Sequence, residues 1–411
     1  MFRPKGRAQL TILAALASSS ALLATLATAD EQLALFPADA QERHFGASLD
    51  VSGRWAVVAA PGTRRSDVPY LRGAAYIFER GDENRWEQQA KILPAPGPAG
   101  TFRVAHVAID ARTVVISGTE QTRAGEMGVA HVYMRHDRQH WLPRAVLRSG
   151  SVAENDGFGS ALSLHGDVVL VGADAEGEGA GAAYLFRRDD SGQWRRTARF
   201  AAADARSNAR FGSSVALHDG IALVGSHGCD DRKGAAYVFV RDETGVWRQE
   251  AKLTPDAQAT QALFGAALAV NGTYALIGAP GEQDFEGAAY LFRRSGNGKW
   301  TLSARLRADD GLAFDQFGIS VALARNQALI GANHGDHSGP RINGAAYVFE
   351  QRGEEWTQRR KLESPVPGEK NDFGRQVALS EEGGLIGAKD LDDKAGAAFP
   401  LPCKVNCAPA H

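Results

Sequence analysis

Short apolar segments alternate with polar, glycine-rich turns along most of the chain, and the pattern returns about every fifty residues. Each copy opens with Phe-Gly, and three successive intervals between these dipeptides are 53 residues long. The opening residues are Phe45, Phe158, Phe211, Phe264, Phe317 and Phe373, with a degenerate copy at Phe102. A fixed period of this length predicts repeated supersecondary units rather than separate domains.

The copy that begins at Phe211 shows what one unit contains. Four short segments that we interpret as strands are separated by turn residues, at 213–217, 221–224, 234–239 and 247–253. Four short strands joined by turns are typical of a propeller blade. Seven copies therefore predict an all-β fold, a seven-bladed β-propeller of four-stranded blades.

The spacing of large side chains predicts how each blade packs. Tyr237 and Phe239 are two residues apart in the third strand, so we expect both on one face. Trp247 and Leu253 are six apart in the fourth strand, and we expect them to share a face as well. The second strand is a continuous apolar run, as in 168–171, which indicates that neighbouring blades cover both of its faces.

The two ends of the chain predict how the ring closes. The copy at Phe373 reaches Phe399, but no fourth segment with a tryptophan follows. Residues 33–37 align instead with 251–255, the end of a fourth strand in another copy. We therefore expect residues 31–36 to complete the last blade, which would remove two open sheet edges.

The start of the chain has a different composition. Three basic residues precede an apolar stretch at 10–26, and small residues follow at 27–29. This resembles a secretory signal peptide cut before Asp30, and the apolar stretch is short for a bilayer span of ~20 residues. The expected regions are a signal peptide at 1–29, one propeller at 30–402 and a C-terminal tail at 403–411. We expect an exported protein (secreted, periplasmic or at the cell surface) with no transmembrane segment in the mature chain.

Composition and charge narrow the possible partners. An apolar content of 44% and a charged content of 23% are those of a soluble globular protein. The formal net charge is −2 and becomes more negative when the basic leader is removed. Nucleic-acid binding usually shows a basic stripe or patch, so nucleic acid is not an expected partner.

The loop before Gly344 carries the most ligand-like cluster. His334, Asp336 and His337 lie within four residues, and imidazole with carboxylate suits zinc or another transition metal. Such loops are also ordinary turn material, so we predict no metal site and no cofactor. Acidic residues in the matching loops of other copies are interpreted as solvated: Glu176, Glu178, Glu282, Asp284, Asp390, Asp392 and Asp393. In a propeller these loops would gather on one rim.

The chain has three cysteines, and export would permit disulfides. Cys403 and Cys407 are four residues apart and could form a bridge only if the tail turns between them. Cys229 would then be a free thiol in a loop.

No catalytic constellation accompanies the repeats. The sequence has no Gly-x-Ser-x-Gly elbow, no glycine-rich phosphate loop and no paired histidines on a helix. A tryptophan recurs in each fourth segment, and its constant offset to an apolar residue indicates packing rather than a sugar-binding platform. Acids that precede Phe-Gly, such as Asp156 and Asp315, are interpreted as local turn formers. We therefore do not predict an enzyme.

In one copy, Phe264-Gly265 is followed by Gly278-Ala279-Pro280, so this copy contains both a Phe-Gly and a Gly-Ala-Pro motif. With the Phe-Gly series, it resembles the FG-GAP repeat, the unit of the β-propeller in integrin α-subunits and in many exported bacterial proteins. The resemblance spans roughly residues 31–400. It implies the propeller fold and, by analogy, a non-catalytic role in binding or adhesion.

Two departures from the family pattern limit what the resemblance implies. Some integrin-like blades carry an Asp-rich calcium loop after Phe-Gly, but here that interval holds only minimal turns, such as Asp219-Gly220. Calcium binding is therefore not expected. In the copy at Phe102, Arg103 replaces the glycine and His131 replaces the usual tyrosine. Drift and specialisation for a partner both remain open for this copy.

Three functions remain open. The preferred one is an exported, non-catalytic module that binds a protein or glycan through loops on one rim. The alternatives are a structural component of the envelope and an enzyme with a site at the central channel. A binding module should expose an apolar or aromatic patch on a rim, whereas an enzyme should gather titratable residues in a concave pocket.

Overall fold

The computed structural model of the protein describes residues 34–39, 43–62, 73–82, 85–96, 101–122, 125–150, 155–255, 259–333, 343–366 and 371–401. The predicted signal peptide and C-terminal tail lie outside these residues. None of the helices in the described ranges has the length and apolar character of a membrane span.

The described residues form seven antiparallel sheets in chain order, which confirms the predicted all-β, seven-bladed propeller. The first three blades are β1 (Ser48–Ser52), β2 (Trp55–Ala60), β3 (Ala74–Arg80), β4 (Trp86–Ile92); β5 (Phe102–Asp110), β6 (Thr113–Gln121), β7 (Glu126–Arg135), β8 (Trp141–Leu147); and β9 (Phe158–His165), β10 (Val168–Ala173), β11 (Ala182–Arg188), β12 (Trp194–Phe200). The next three are β13 (Phe211–His218), β14 (Ile221–Ser226), β15 (Ala235–Arg241), β16 (Trp247–Leu253); β17 (Ala267–Val270), β18 (Tyr274–Ala279), β19 (Ala288–Arg294), β20 (Trp300–Leu306); and β21 (Ser320–Ala324), β22 (Gln327–Ala332), β23 (Ala345–Arg352), β24 (Glu355–Glu363). Blade 7 contains β25 (Gln376–Ser380), β26 (Gly383–Ala388) and β27 (Ala397–Pro400).

Four single-turn helices connect the second strand of a blade to its third strand. They are α1 (Glu176–Gly179), α2 (Cys229–Arg232), α3 (Glu282–Phe285) and α4 (Leu391–Lys394). None is a regular right-handed turn, because each contains non-glycine residues with positive φ, such as Asp230 at 50° and Gln283 at 52°.

The strands of each blade are ordered from the propeller axis outward. The first strands of all seven blades line one axial cavity of about 330 Å³. The second strands follow, and β2, β14 and β18 are buried at every residue. The continuous apolar sequence of these strands is explained by cover on both faces. The fourth strands are outermost and largely solvated between their terminal apolar residues, as in β16.

The fourth strand corrects the predicted packing of Trp247 and Leu253. Trp247 pairs with Arg241 and Leu253 with Ala236, so their partners are five residues apart and the two side chains lie on opposite faces. A β-bulge causes this change of face, because Glu250 has no opposite residue in β15. The same register shift occurs in the outer strands of blades 1 to 6. Trp247 therefore packs against blade 3, and Leu253 packs against blade 5.

Blade 7 meets the N-terminal segment at one residue pair. The Leu35 amide donates to the Ala398 carbonyl at 2.7 Å, and the Ala398 amide donates back to Leu35 at 3.2 Å. This pairing is equivalent to that of Leu253 with Ala236 in blade 4, as the alignment predicts. Residues 31–33 lie outside the described ranges, so closure by a complete fourth strand stays a prediction.

Candidate binding surface

The antiparallel order of the strands gives the propeller two distinct rims. One end carries the loops from second to third strands and the linkers that lead from a fourth strand to the next Phe-Gly. We call this end the linker rim. The other end carries the turns from first to second strands and the hairpins from third to fourth strands, and we call it the hairpin rim. All the acidic loops identified in the sequence belong to the linker rim.

Left-handed turns on the linker rim connect consecutive blades. In α2, Asp230, Asp231 and Arg232 have φ values of 50°, 55° and 67°. The carbonyls of Arg232 and Lys233 then accept the amides of Leu263 and Phe264 of the next blade, at 2.9 and 3.0 Å. Left-handed backbone costs roughly 1–2 kcal/mol per residue, and these hydrogen bonds offset that cost.

The same junction occurs between blades 7 and 1. The amides of His44 and Phe45 donate to the carbonyls of Lys394 and Ala395 at 2.7 and 3.0 Å. Phe45 also bridges Gly396 in parallel, as Phe264 bridges Gly234 between blades 4 and 5. The first and last blades are therefore joined by the contact that joins consecutive blades elsewhere.

A tyrosine, a carboxylate and a cation form a repeated constellation near the linker rim. In blade 4 the Tyr237 hydroxyl donates to Asp204 Oδ1 at 2.7 Å, and Lys252 Nζ lies 2.6 Å from Asp204 Oδ2. In blade 5 the Tyr290 hydroxyl donates to Glu282 Oε2 at 2.6 Å. The complete sets are Tyr76–Asp39–Lys91, Tyr184–Glu176–Arg199, Tyr237–Asp204–Lys252, Tyr290–Glu282–Arg305 and Tyr347–Asp310–Lys361.

The electrostatics of this constellation fix its protonation state. The hydrogen bond from Lys252 holds the pKa of Asp204 below its usual value. Burial raises the pKa of the Tyr237 hydroxyl, and its hydrogen bond to Asp204 raises it further. Burial opposes the charge on Lys252, but its contacts with Asp204 raise its pKa overall. None of the three groups changes protonation near neutral pH, so the constellation is suited to holding the rim together and not to acid–base catalysis.

In blade 2 a histidine, His131, takes the place of the tyrosine in this constellation. His131 Nε2 lies 3.4 Å from Glu120, which also pairs with Arg148 at 2.9 Å. Both His131 and Glu120 are buried. Burial lowers the pKa of His131, so the ring is held neutral between a carboxylate and an aromatic neighbour, Phe102. The degenerate copy therefore keeps the packing role of the usual tyrosine.

The acidic loop residues differ in solvation, since Glu178 and Asp284 are exposed as predicted and others are not. Glu282 is only 3% exposed, because Tyr290, Arg305 and Arg307 surround its carboxylate. The prediction of a solvated side chain is wrong for Glu282. Asp390 also has partners, accepting from Lys389 at 3.0 Å and contacting His44 Nδ1 at 2.9 Å.

The acids that precede Phe-Gly form local turn bonds, and the recurring tryptophans have a packing role. Asp156 accepts the amide of Phe158 at 2.9 Å, and Asp315 accepts the amide of Leu312 at 2.9 Å. Both are the turn bonds expected from the sequence. The recurring tryptophans pack between blades rather than form a sugar-binding platform, although not on the face predicted for them. Four are buried members of the inter-blade clusters and two are partly buried against them: Trp86, Trp141, Trp300 and Trp356, then Trp194 and Trp247.

The weak metal candidates and the possible disulfide lie outside the described residues. This applies to His334, Asp336, His337, Cys403 and Cys407. Within the ranges that the structure does describe, no group of three or more His, Cys, Asp or Glu side chains is placed to hold a metal ion. Cys229 is a free, buried thiol, and burial raises its pKa.

An aromatic patch stands on the linker rim between blades 5 and 6. The rings of Phe285 and Phe314 stack with centroids 6.1 Å apart and planes 9° from parallel. Phe314 is 45% exposed and Leu312 is 51% exposed. These three residues define the aromatic patch, and nothing in the repeat pattern marks them as exposed or clustered.

A polar pocket opens on the same rim at blade 4. It has a volume of about 880 Å³ and lies between the linker at 206–210, the segment at 227–232 and Leu263. We call it the arginine pocket, after Arg206, Arg210 and Arg232.

The axial cavity contains one carboxylate with shifted titration. Asp50 Oδ2 accepts the amide of Ile109 of blade 2 at 2.9 Å, and Oδ1 accepts that of Val51 at 2.8 Å. Burial raises the pKa of Asp50 to about 7. Burial also lowers the pKa of His106, another residue lining the cavity. One Asp50 oxygen joins blades 1 and 2 through the Ile109 amide and the other accepts an amide of its own strand, which is a structural use of the carboxylate.

Comparisons with known proteins agree with this architecture. A family model described as FG-GAP repeat matches residues 141–186, 194–239, 247–292 and 300–349. No curated protein matches the chain. Among solved structures, the crystal structure of a protein from Lactobacillus plantarum is similar with a TM-score of 0.50 and 12% sequence identity, over 81% of this chain and 87% of that one. At this identity the similarity concerns the fold alone.

The matched segments are offset from the blades by one strand. Each begins at the tryptophan that opens a fourth strand and ends within the third strand of the next blade. A sequence built from such units leaves a fourth strand unpaired at its beginning and a blade incomplete at its end. This offset accounts for the position of Leu35 against blade 7.

Proposed function

Because the chain is an FG-GAP repeat β-propeller protein, we propose that it is an exported, non-catalytic module that binds a protein or glycan ligand through its linker rim. The observation that carries this proposal is the aromatic patch. Exposed, clustered apolar side chains on one rim are what a binding module needs and what a purely structural propeller does not. Aromatic anchors also supply most of the binding energy at many interfaces.

The fold does not require apolar residues at the positions of the patch. Phe314 lies three residues before Phe317 and has a φ of 69°. The corresponding residues before Phe211 and Phe264 are Asn208 and Gln261, with φ values of 61° and 48°. The left-handed backbone is therefore common to these linkers, whereas the phenylalanine is not.

The same comparison holds for the other two members of the patch. Phe285 lies two residues before Gly287, where α2 has Arg232 and α4 has Lys394. Leu312 corresponds to Arg206 of an earlier linker. Apolar side chains replace polar ones at all three positions, and those of Leu312 and Phe314 are exposed, a cost in solubility that binding would explain.

The state of the titratable groups favours binding over catalysis. The carboxylates of the repeated constellation are paired with tyrosines and cations, and the axial carboxylate is bonded to two amides. An active site would need a group left available for proton transfer or attack. These contacts support the non-catalytic role that we propose.

The test uses a substitution that the fold already accepts. We propose Phe314→Gln, which copies Gln261, with Val246→Ser as a control at a residue that is 47% exposed on the hairpin rim. Both variants and the parent protein are applied to a glycan array and to envelope extracts of the producing organism. Loss of specific signals with Phe314→Gln alone supports the proposal. Equal signals from all three proteins would refute it.

A further inference from the structure

Part of the positive charge at the arginine pocket is not neutralised by carboxylates of the described residues. Arg210 pairs with Asp174 at 3.1 Å. Arg206 and Arg232 are exposed and line the pocket, and neither forms an ion pair within the described part of the chain. Guanidinium groups bind carboxylates with two parallel hydrogen bonds. Two such groups at one pocket therefore suit a ligand with an anionic group.

His227 adds a partly buried donor or acceptor beside the arginines. Its Nδ1 lies 2.8 Å from Ser213 Oγ, and the ring lines the pocket. Burial lowers the pKa of His227, and the nearby charges of Arg210 and Arg232 lower it further. A neutral ring suits hydrogen bonding with a hydroxyl group.

The arginines are not demanded by the blade. In the next linker the position of Arg206 is occupied by Ala259, and in α3 the position of Arg232 is occupied by Phe285. The turns and linkers at both places have the same left-handed backbone. As with the aromatic patch, the side chains vary while the framework is repeated.

The acidic groups of the pocket restrict the kind of anionic ligand. Asp230 and Asp231 are both exposed, and Asp230 lies 3.5 Å from Lys252. An acidic peptide with a carboxylate on each successive residue would bring closely spaced negative charges against these aspartates. A sugar with one carboxylate per ring would place its hydroxyls where aspartate, asparagine and histidine accept or donate hydrogen bonds.

We propose that the arginine pocket binds a carboxylated saccharide, with a uronic-acid carboxylate held by Arg206 and Arg232 and sugar hydroxyls held by Asn208, His227 and Asp231. The volume of about 880 Å³ lies in the range of pockets for small ligands. This inference rests on the proposed function, because it names the ligand class of the linker rim.

The test measures binding of trigalacturonate to the full chain by isothermal titration calorimetry. The matched probe is the carboxyl-reduced trisaccharide, which keeps the ring and loses the charge. The variants are Arg206→Ala, which copies Ala259, and Arg232→Gln. The control variant is Arg375→Gln, an exposed arginine on the same rim at blade 7. Unchanged thermal unfolding midpoints show that each variant is folded.

The expected result is binding of trigalacturonate that weakens about tenfold in Arg206→Ala and in Arg232→Gln, since a charge-assisted hydrogen bond is lost. Arg375→Gln should bind like the parent, and the reduced trisaccharide should bind at least about tenfold more weakly. No binding, equal binding of the reduced probe, or tighter binding of hexaglutamate would each overturn the inference. If the saccharide inference fails but Phe314→Gln still removes signals on the array or with the extracts, the proposed binding function of the linker rim is retained.

Discussion

Replacement of Asp50 by serine should change how the stability of the propeller depends on pH. Asp50 Oδ2 accepts the amide of Ile109 across the junction of blades 1 and 2. Ser163 occupies the equivalent position in blade 3, where its hydroxyl accepts the amide of Leu217 at 3.1 Å. Asp50→Ser therefore keeps an acceptor for the Ile109 amide and removes the carboxyl group.

The sign of the effect follows from the direction of the pKa shift. Burial raises the pKa of Asp50 from 3.8 to about 7, so between these values the folded protein binds a proton that the unfolded chain has released. Stability must then fall as pH rises through this range and become constant above it. A shift of this size corresponds to at most about 4 kcal/mol. Because Asp50 is only partly buried against the axial cavity, we expect about 2 kcal/mol.

Urea unfolding of the parent and of Asp50→Ser, at several pH values from 4.5 to 8, measures this contribution. The difference between the two proteins cancels the titration of all other groups. We expect similar stability at pH 4.5 and a variant that is about 2 kcal/mol more stable at pH 8. A difference that does not vary with pH would show that Asp50 titrates normally in the folded state.

Four further predictions concern the ends, the metal content and the junctions. Deletion of residues 30–40 should cost about 3 kcal/mol, since it removes the buried Leu35 and its two backbone bonds; an unchanged melting temperature would contradict closure. A chelator should leave the melting temperature unchanged, and a drop of several degrees would indicate a bound metal. Gly234→Ala should cost about 2 kcal/mol more than Gly192→Ala in urea unfolding, because its Cβ would overlap the Phe264 carbonyl whereas Gly192 faces open space. Mass spectrometry of the exported protein should find Asp30 at its N-terminus.

The repeat and its strands could be predicted because each strand has its own local signature. The fourth strand of blade 4 has the predicted bounds, Trp247–Leu253. Its faces could not be predicted, since the bulge at Glu250 has no mark in the residue pattern. Asn-Gly is a common two-residue turn signal, but the turn that follows Val270 consists of Gly272 and Thr273, one residue later than Asn271-Gly272. Asn271 precedes the turn and its side chain accepts the amides of Thr273 and Tyr274.

The repeats contain the paired charges of the rim carboxylates but do not show that these pairs are equivalent. Blades 3 and 5 combine a glutamate in the second loop with an arginine in the fourth strand, as Glu282 with Arg305. Blades 1, 4 and 6 combine an aspartate before Phe-Gly with a lysine, as Asp204 with Lys252. The two groups of blades therefore differ both in the position of the carboxylate along the chain and in the type of cation. Only the structure shows that both arrangements contact a tyrosine at the same position of the repeat.

Comparison of equivalent positions within one chain separates what the fold needs from what it leaves free. Gly181, Gly234 and Gly287 all have positive φ and lie against the next blade, so the junction dictates their identity. Three residues before Phe-Gly, the backbone is equally constrained, yet Asn208 and Phe314 both satisfy it. A side chain that differs at a position where the backbone does not is available for selection by a partner. The aromatic patch and the arginine pocket consist of such positions at neighbouring junctions, which is why we locate ligand binding on the linker rim at blades 4 to 6.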